Sequence, residues 1–300
     1  MTADARERQF LDPAVVARLG TLELKARTIV EGFLTGLHRS PFKGFSVEFA
    51  EYRQYMPGDD LATIDWKVYA RSDRHYVKKF EEETNLDCHI MIDVSGSMSY
   101  GSRGITKYEY ASCLAASLGY LMNRQRDAVG LTAFDERIVT MLPASSRPGH
   151  LRALLVTLSR LTLGKQTNVS KPLHQLAESL TKRGMVVLIS DLLDDPEQVI
   201  RGLKHFQFRG TDVIVFQVLD PDELEFPFER PTRFEDLETD DEVMAVPSVV
   251  REHYLKAIGG LVDRYRREFG ASGIDYHLLT TTEPLEMALL EYLSTRARTL

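Results

Sequence analysis

Between Leu86 and Met98 an apolar segment runs straight into Asp93-Val94-Ser95-Gly96-Ser97, and both halves of that stretch constrain the fold. Cys88, Ile90 and Ile92 alternate with His89 and Met91, which predicts a buried strand that stops abruptly and delivers a loop. The loop places oxygen donors at every second residue. Asp93, Ser95 and Ser97 can turn a carboxylate and two hydroxyls toward one point, the donor chemistry of a hard divalent cation. Asp and Ser are also ordinary turn formers after a strand, so this loop alone does not separate a metal site from a plain turn.

The rest of the chain supplies the context. After the loop, apolar periodicity predicts a helix over 108–122, a strand pair at 128–134 and 137–142, and helices at 151–161 and 171–181. An unbroken apolar strand at 185–190 then ends in Asp191, a helix follows at 196–206, and a strand at 212–219 ends in Asp220. A helix at 247–269, a strand at 274–279 and a helix at 284–294 close the chain. That alternation is α/β: helix-separated apolar strands imply a largely parallel sheet covered on both faces, with ligands gathering beyond the carboxyl ends of the strands. The acid-rich segment 221–246, with Phe226, Phe228 and Phe234, interrupts the rhythm, and its length predicts an edge hairpin or a partner-binding flap.

Two additions precede this domain. Residues 1–40 read as a helical segment, with Asp12-Pro13 as a helix start and a second apolar stripe from Leu22 to Leu37 that must dock on the main domain. Residues 41–85 change to a period of two and read as a β-rich addition; its Asp65, Trp66 and Arg71 are interface candidates, tryptophan and arginine being common anchors. Residues 86–300 form the α/β domain. A chain of 300 residues can bury about three quarters of its unfolded surface, so Cys88 and Cys113 are expected as reduced core residues rather than staples. The longest apolar runs fall short of the roughly 20 residues of a spanning helix, which gives the expectation of a cytoplasmic protein with no membrane span. A net charge of −7 offers no basic field for nucleic acid.

Two further loops complete a constellation. Gly164-Lys165-Gln166-Thr167-Asn168 precedes a helix and offers the Thr167 hydroxyl, while Ser190-Asp191 offers a second carboxylate. Asp-x-Ser-x-Ser, Thr and Asp, in that order and on those elements, resemble the metal-ion-dependent adhesion site of von Willebrand factor A domains. The resemblance implies Mg2+ or Mn2+ at Asp93, Ser95, Ser97, Thr167 and Asp191, with a coordination position left for an acidic side chain of a client protein. Lys165-Gln166 departs from the small residues commoner before that threonine. The blocks Glu51 to Tyr55, Pro57-Gly58-Asp59-Asp60, Ile64-Asp65-Trp66-Lys67, Phe80 to Thr84 and Phe226-Pro227-Phe228 resemble the bacterial family known as domain of unknown function 58. That resemblance implies a partner, a MoxR-type AAA+ ATPase, and chaperone-like or complex-maturation work without enzymatic activity.

Rival readings rest on specific residues. A phosphotransferase of haloacid-dehalogenase type needs a second carboxylate two residues after its nucleophile, where this chain has Ser95. A P-loop fails at Ser159 and Gln166, and a serine hydrolase lacks both a glycine before Ser95 and a histidine tied to it. A structural α/β domain with a degenerate metal loop stays open beside the metal-dependent module.

Overall fold

The structure, a computed structural model, describes residues 12–39, 52–54, 76–78, 87–164, 169–180, 184–239 and 241–299. Helix α1 (Pro13–Ala17) starts as predicted, with the Asp12 carboxylate accepting from the Ala14 amide at 2.8 Å, and α2 (Leu22–Arg39) follows. Within the β-rich addition, strands β1 (Tyr52–Gln54) and β2 (Tyr76–Lys78) pair antiparallel. Asp65, Trp66 and Arg71 lie outside the described residues.

The α/β domain opens with β3 (Asp87–Asp93), a 3-10 turn (Gly96–Ser99) and α3 (Lys107–Arg124). Next come β4 (Ala128–Phe134), β5 (Ile138–Ser145), α4 (His150–Arg160), α5 (Ser170–Ser179), β6 (Met185–Ser190), α6 (Pro196–Phe208) and β7 (Asp212–Leu219). A short α7 (Pro221–Glu225) leads to β8 (Thr232–Glu235) and β9 (Glu242–Ala245); then α8 (Pro247–Ala271), β10 (Asp275–Thr280) and α9 (Leu285–Thr299) end the described chain.

Six strands form one sheet in the order β5-β4-β3-β6-β7-β10, parallel throughout except for the edge strand β5. Period-two alternation sends successive side chains to opposite faces. Ile90, Ile92, Val187 and Ile189 pack with residues of α2, α3, α4 and α9, whereas Met91, Val186 and Leu188 pack with those of α5, α6 and α8. Helix α3 is buried nearly all round rather than amphipathic, because α2 covers the side that the sheet leaves open. Val16, Ala26, Ile29, Val30 and Phe33 thereby join the core of the α/β domain, where the docked helical prefix was expected. Cys88 and Cys113 are buried free thiols in that core.

The chain leaves β3 to build β4 and β5 on one side, then returns to place β6 on the other. The boundary between β3 and β6 is therefore the point where strand order reverses, and the loops after these two strands open a crevice at their carboxyl ends. The segment after β7 forms the expected hairpin, but not at an edge of the sheet. β8 and β9 pair with each other as a separate two-stranded ribbon, not as an edge of the main sheet.

The loop between the 3-10 turn and α3 has little room. A Cβ at Gly101 would stand 2.3 Å from the Ile105 carbonyl oxygen, and the neighbouring Tyr100 carbonyl accepts from the Lys107 amide at 2.8 Å. Gly101→Ala should force this backbone apart and cost about 1–3 kcal/mol. A lowered urea midpoint with an unchanged slope would register it.

Candidate metal centre

Asp93 is the last residue of β3, and its carboxylate is fully buried. One oxygen accepts from the Ser95 amide at 2.9 Å, which curls the loop back on the strand end. The other accepts from the Ser190 hydroxyl at 2.5 Å, a bond across the β3/β6 boundary. The Ser95 and Ser97 hydroxyls lie 3.1 Å apart, and Ser97 donates to Asp191 at 2.7 Å. Four of the five predicted donors, Asp93, Ser95, Ser97 and Asp191, are thus brought into one hydrogen-bonded group. The fifth, Thr167, lies outside the described residues. The flanks of its loop are tied to the neighbouring segments, Gly164 donating to the Val94 carbonyl at 2.7 Å and the Val169 amide to Asp194 at 2.9 Å.

The Asp191 loop is held in a strained form. Leu192 has φ +53°, a left-handed conformation costly for a residue with a side chain. Its amide donates to the Ser190 hydroxyl at 3.0 Å, its carbonyl accepts from Tyr265, and the Asp191 carbonyl accepts from Gln217 at 2.8 Å. Those bonds fix which way the Asp191 carboxylate faces.

Charge decides the character of the site. Burial, and then the nearby charge of Asp191, push the Asp93 carboxyl up to about 7, against the pull of its bonds to Ser190 and Ser95. A buried lysine answers this charge. Lys107 is 0% exposed, and its ammonium lies 2.7 Å from Asp191 Oδ2 and 2.6 Å from Glu223 Oε1. Burial alone would lower the ammonium's pKa, but the two carboxylates and their hydrogen bonds outweigh it and raise it. Glu223 is raised as well, because its own burial exceeds the opposing effect of Lys107. We read the pair as ionised, since both contacts are short and the cation is shared. One clue was available: a lysine at the first position of a helix, next to the capping box of Thr106 and Glu109, runs against the helix dipole.

A third strand end closes the group. Asp220, after β7, accepts from the Ser102 amide at 2.9 Å and the Asp222 amide at 2.9 Å, tying the loop before α3 to α7. Ser97 and Tyr100 then form one wall of a groove of about 220 Å³, whose other wall is Asp222, Glu223, Phe226, Phe228, Phe234, Glu235, Leu237 and Tyr254. Phe226 stacks on Phe234 at 5.6 Å and lies 4.7 Å from Tyr254, so the predicted interface residues Phe226 and Phe228 belong to one aromatic cluster beside the oxygen donors. No described histidine joins Ser95: His150 meets the Val129 carbonyl, and His174 pairs with His205.

The donors suit a hard cation in type. They are all oxygens, and a buried carboxyl with a raised pKa is a group that added positive charge would relieve. They are also few: among the described residues, no group of three or more His, Cys, Asp or Glu stands where it could hold a metal ion.

Sheet order, and the loops gathered where it reverses, define a doubly wound α/β domain with its one antiparallel strand, β5, at an edge, an arrangement compatible with the expected von Willebrand factor A-like fold. The chain belongs to the family described as "Protein of unknown function DUF58", which matches residues 51–259. The uncharacterized protein Rv1480 of Mycobacterium tuberculosis is 30% identical over 219 residues, covering 72% of this chain and 68% of that protein, and Mb1516 of Mycobacterium bovis matches equally. Solved structures similar to the chain include conserved hypothetical protein BatB from Bacteroides thetaiotaomicron, 17% identical with a TM-score of 0.49, covering 71% of this chain and 99% of that one. The SpRpn10 VWA domain is 12% identical with a TM-score of 0.39, covering 68% and 94%.

The raised Asp93 pKa fixes the sign of a pH effect. The folded state holds this proton more tightly than the unfolded chain, so the Asp93 contribution is full below the ordinary value of 3.8 and is lost as pH rises through about 7. Unfolding in the presence of a chelator should therefore show wild type losing stability over that window relative to Asp93→Asn. Parallel pH profiles for the two proteins would contradict the assignment.

Proposed function

We propose that this protein is a divalent-metal-dependent protein-binding module, without enzymatic activity, that works with a MoxR-type AAA+ ATPase in chaperone-like or complex-maturation roles in the bacterial cytosol. The observation that carries the reading is the gathering of Asp93, Ser95, Ser97 and Asp191 where strand order reverses, with Ser97 also lining the aromatic groove. Mg2+ or Mn2+ is the cation these donors favour, since no sulfur or imidazole is among them. When bound, it supplies a positive centre for an acidic side chain of the partner.

The chain's own residues do the remaining work. Asp93, with its orientation set by Ser95 and Ser190, supplies the buried charge. Ser95 and Ser97 supply neutral oxygens, so the donor set carries only the two negative charges of Asp93 and Asp191 and leaves a dication's field for an incoming carboxylate. The groove wall of Phe226, Phe228 and Phe234 offers apolar and aromatic area to the same partner segment, the kind of surface that supplies binding energy beside a charged contact. The ATPase partnership is supported by the family resemblance of the sequence blocks before β3.

One observation favours a second reading. Lys107 already places a cation on Asp191, so the loops could be a structural knot with no metal. Thermal unfolding separates the two. With Mg2+ at about 100 times its dissociation constant, wild type should gain roughly 2.7 kcal/mol, and Asp93→Ala should lose most of that gain. Capture of the ATPase or client should fall in EDTA. Identical melting with and without Mg2+ for both proteins would leave the structural knot.

A further inference from the structure

Lys107 touches two places that serve different purposes. Asp191 belongs to the oxygen donor group, whereas Glu223 belongs to α7 and to the wall of the aromatic groove. Glu223 is itself well fixed: its Oε2 accepts from the Asp220 amide at 2.8 Å, and its carbonyl accepts from the Tyr254 hydroxyl at 2.9 Å. The segments beyond both partners are strained. Among the described residues, the non-glycine residues with positive φ are Arg126, Leu192 and Phe226; Leu192 follows Asp191 directly, and Phe226 follows Glu223 by three residues. Such conformations persist only when the surrounding contacts hold them, so both segments respond to changes in those contacts.

Resting on the metal-centre reading, we propose that Lys107 is a tethered counter-cation that competes with the divalent ion for Asp191, and that its transfer toward Glu223 passes occupancy of the Asp93 loop to the aromatic groove. The ammonium and an added dication are like charges drawing on one carboxylate, so each weakens the other's hold. Leaving Asp191 would strand a buried ammonium without a counter-charge, were Glu223 not 2.6 Å away to keep it paired. Glu223 thus makes the exchange tolerable, and α7 with its aromatic neighbours receives the altered charge. Lys107 acts here through Asp191 and Glu223, as a positioning residue.

The test is calorimetric titration of Mn2+ into the full chain as wild type, Lys107→Met and Glu223→Gln. Lys107→Met removes the competitor and should bind Mn2+ about tenfold more tightly, whereas Glu223→Gln confines the ammonium to Asp191 and should bind about tenfold more weakly. Mn2+ should slow hydrogen exchange across residues 221–245 in wild type and leave it unchanged in Lys107→Met. Opposite shifts in affinity support the proposal, because an ion pair that only holds the fold together would weaken binding in both variants. Weakening in both, or equal slowing of exchange with and without Lys107, overturns it. Should Lys107→Met fail to fold, Glu223→Gln decides alone, and unchanged or tighter Mn2+ binding by that variant overturns the proposal. Wild type that takes no Mn2+ overturns the metal-centre reading and this inference together, which distinguishes that failure from the others.

Discussion

A carboxylate sealed from water at the end of the central strand sets the terms for the structure around it. Asp93 has lost its hydration, and the polar groups around it act on either its charge or its proton. The Ser95 amide and the Ser190 hydroxyl provide the hydrogen bonds; Asp191 adds a second negative charge; Lys107 answers Asp191 with a positive one. Replacing a buried ion pair with apolar residues is often neutral for stability, so the stability of the fold does not by itself account for so many polar groups in one place.

The sheet explains why these groups can meet. β3 and β6 are neighbours in space but distant in sequence, with two strands and three α-helices between them among the described residues. Their parallel register brings both carboxyl ends to the same edge, and the Asp93 to Ser190 bond joins them there. Helix α3 begins at this edge, so its first residue delivers Lys107 into the crevice while the rest of the helix is committed to the core. The α7 segment and the β8/β9 ribbon add the aromatic wall. A doubly covered sheet thus holds the charged groups, and the aromatic wall lies in a separate segment beside it.

Local patterns carried much of this. The strand of alternating apolar residues before Asp93, the strand before Asp191, the helix start at Asp12-Pro13 and the stripe on α2 were legible because each depends on neighbours within a few residues. Helix ends were read a few residues short or long, since the last turn is set by packing. The periodicity over 108–122 located α3 but not the extent of its burial: small residues such as Ala111, Ala115, Ala116 and Ser117 line a helix that is covered on both sides, and composition does not reveal a second cover.

Sequence by itself determined the α/β alternation and the chemistry of the donor loops, because strand periodicity and an Asp-x-Ser-x-Ser spacing are local and survive any arrangement of the remaining chain. It also singled out Phe226 and Phe228 as unusual in an acid-rich insertion. Tertiary structure alone decided that Ser190 bonds Asp93, that the ribbon stands apart from the main sheet, and that Lys107 lies between Asp191 and Glu223. Those contacts join residues separated by 84 to 116 positions. The one-dimensional pattern marks Lys107 only by its unfavourable place at a helix start and does not encode its burial, since a lysine inside a protein is tolerable only where the fold has already brought its counter-charges together.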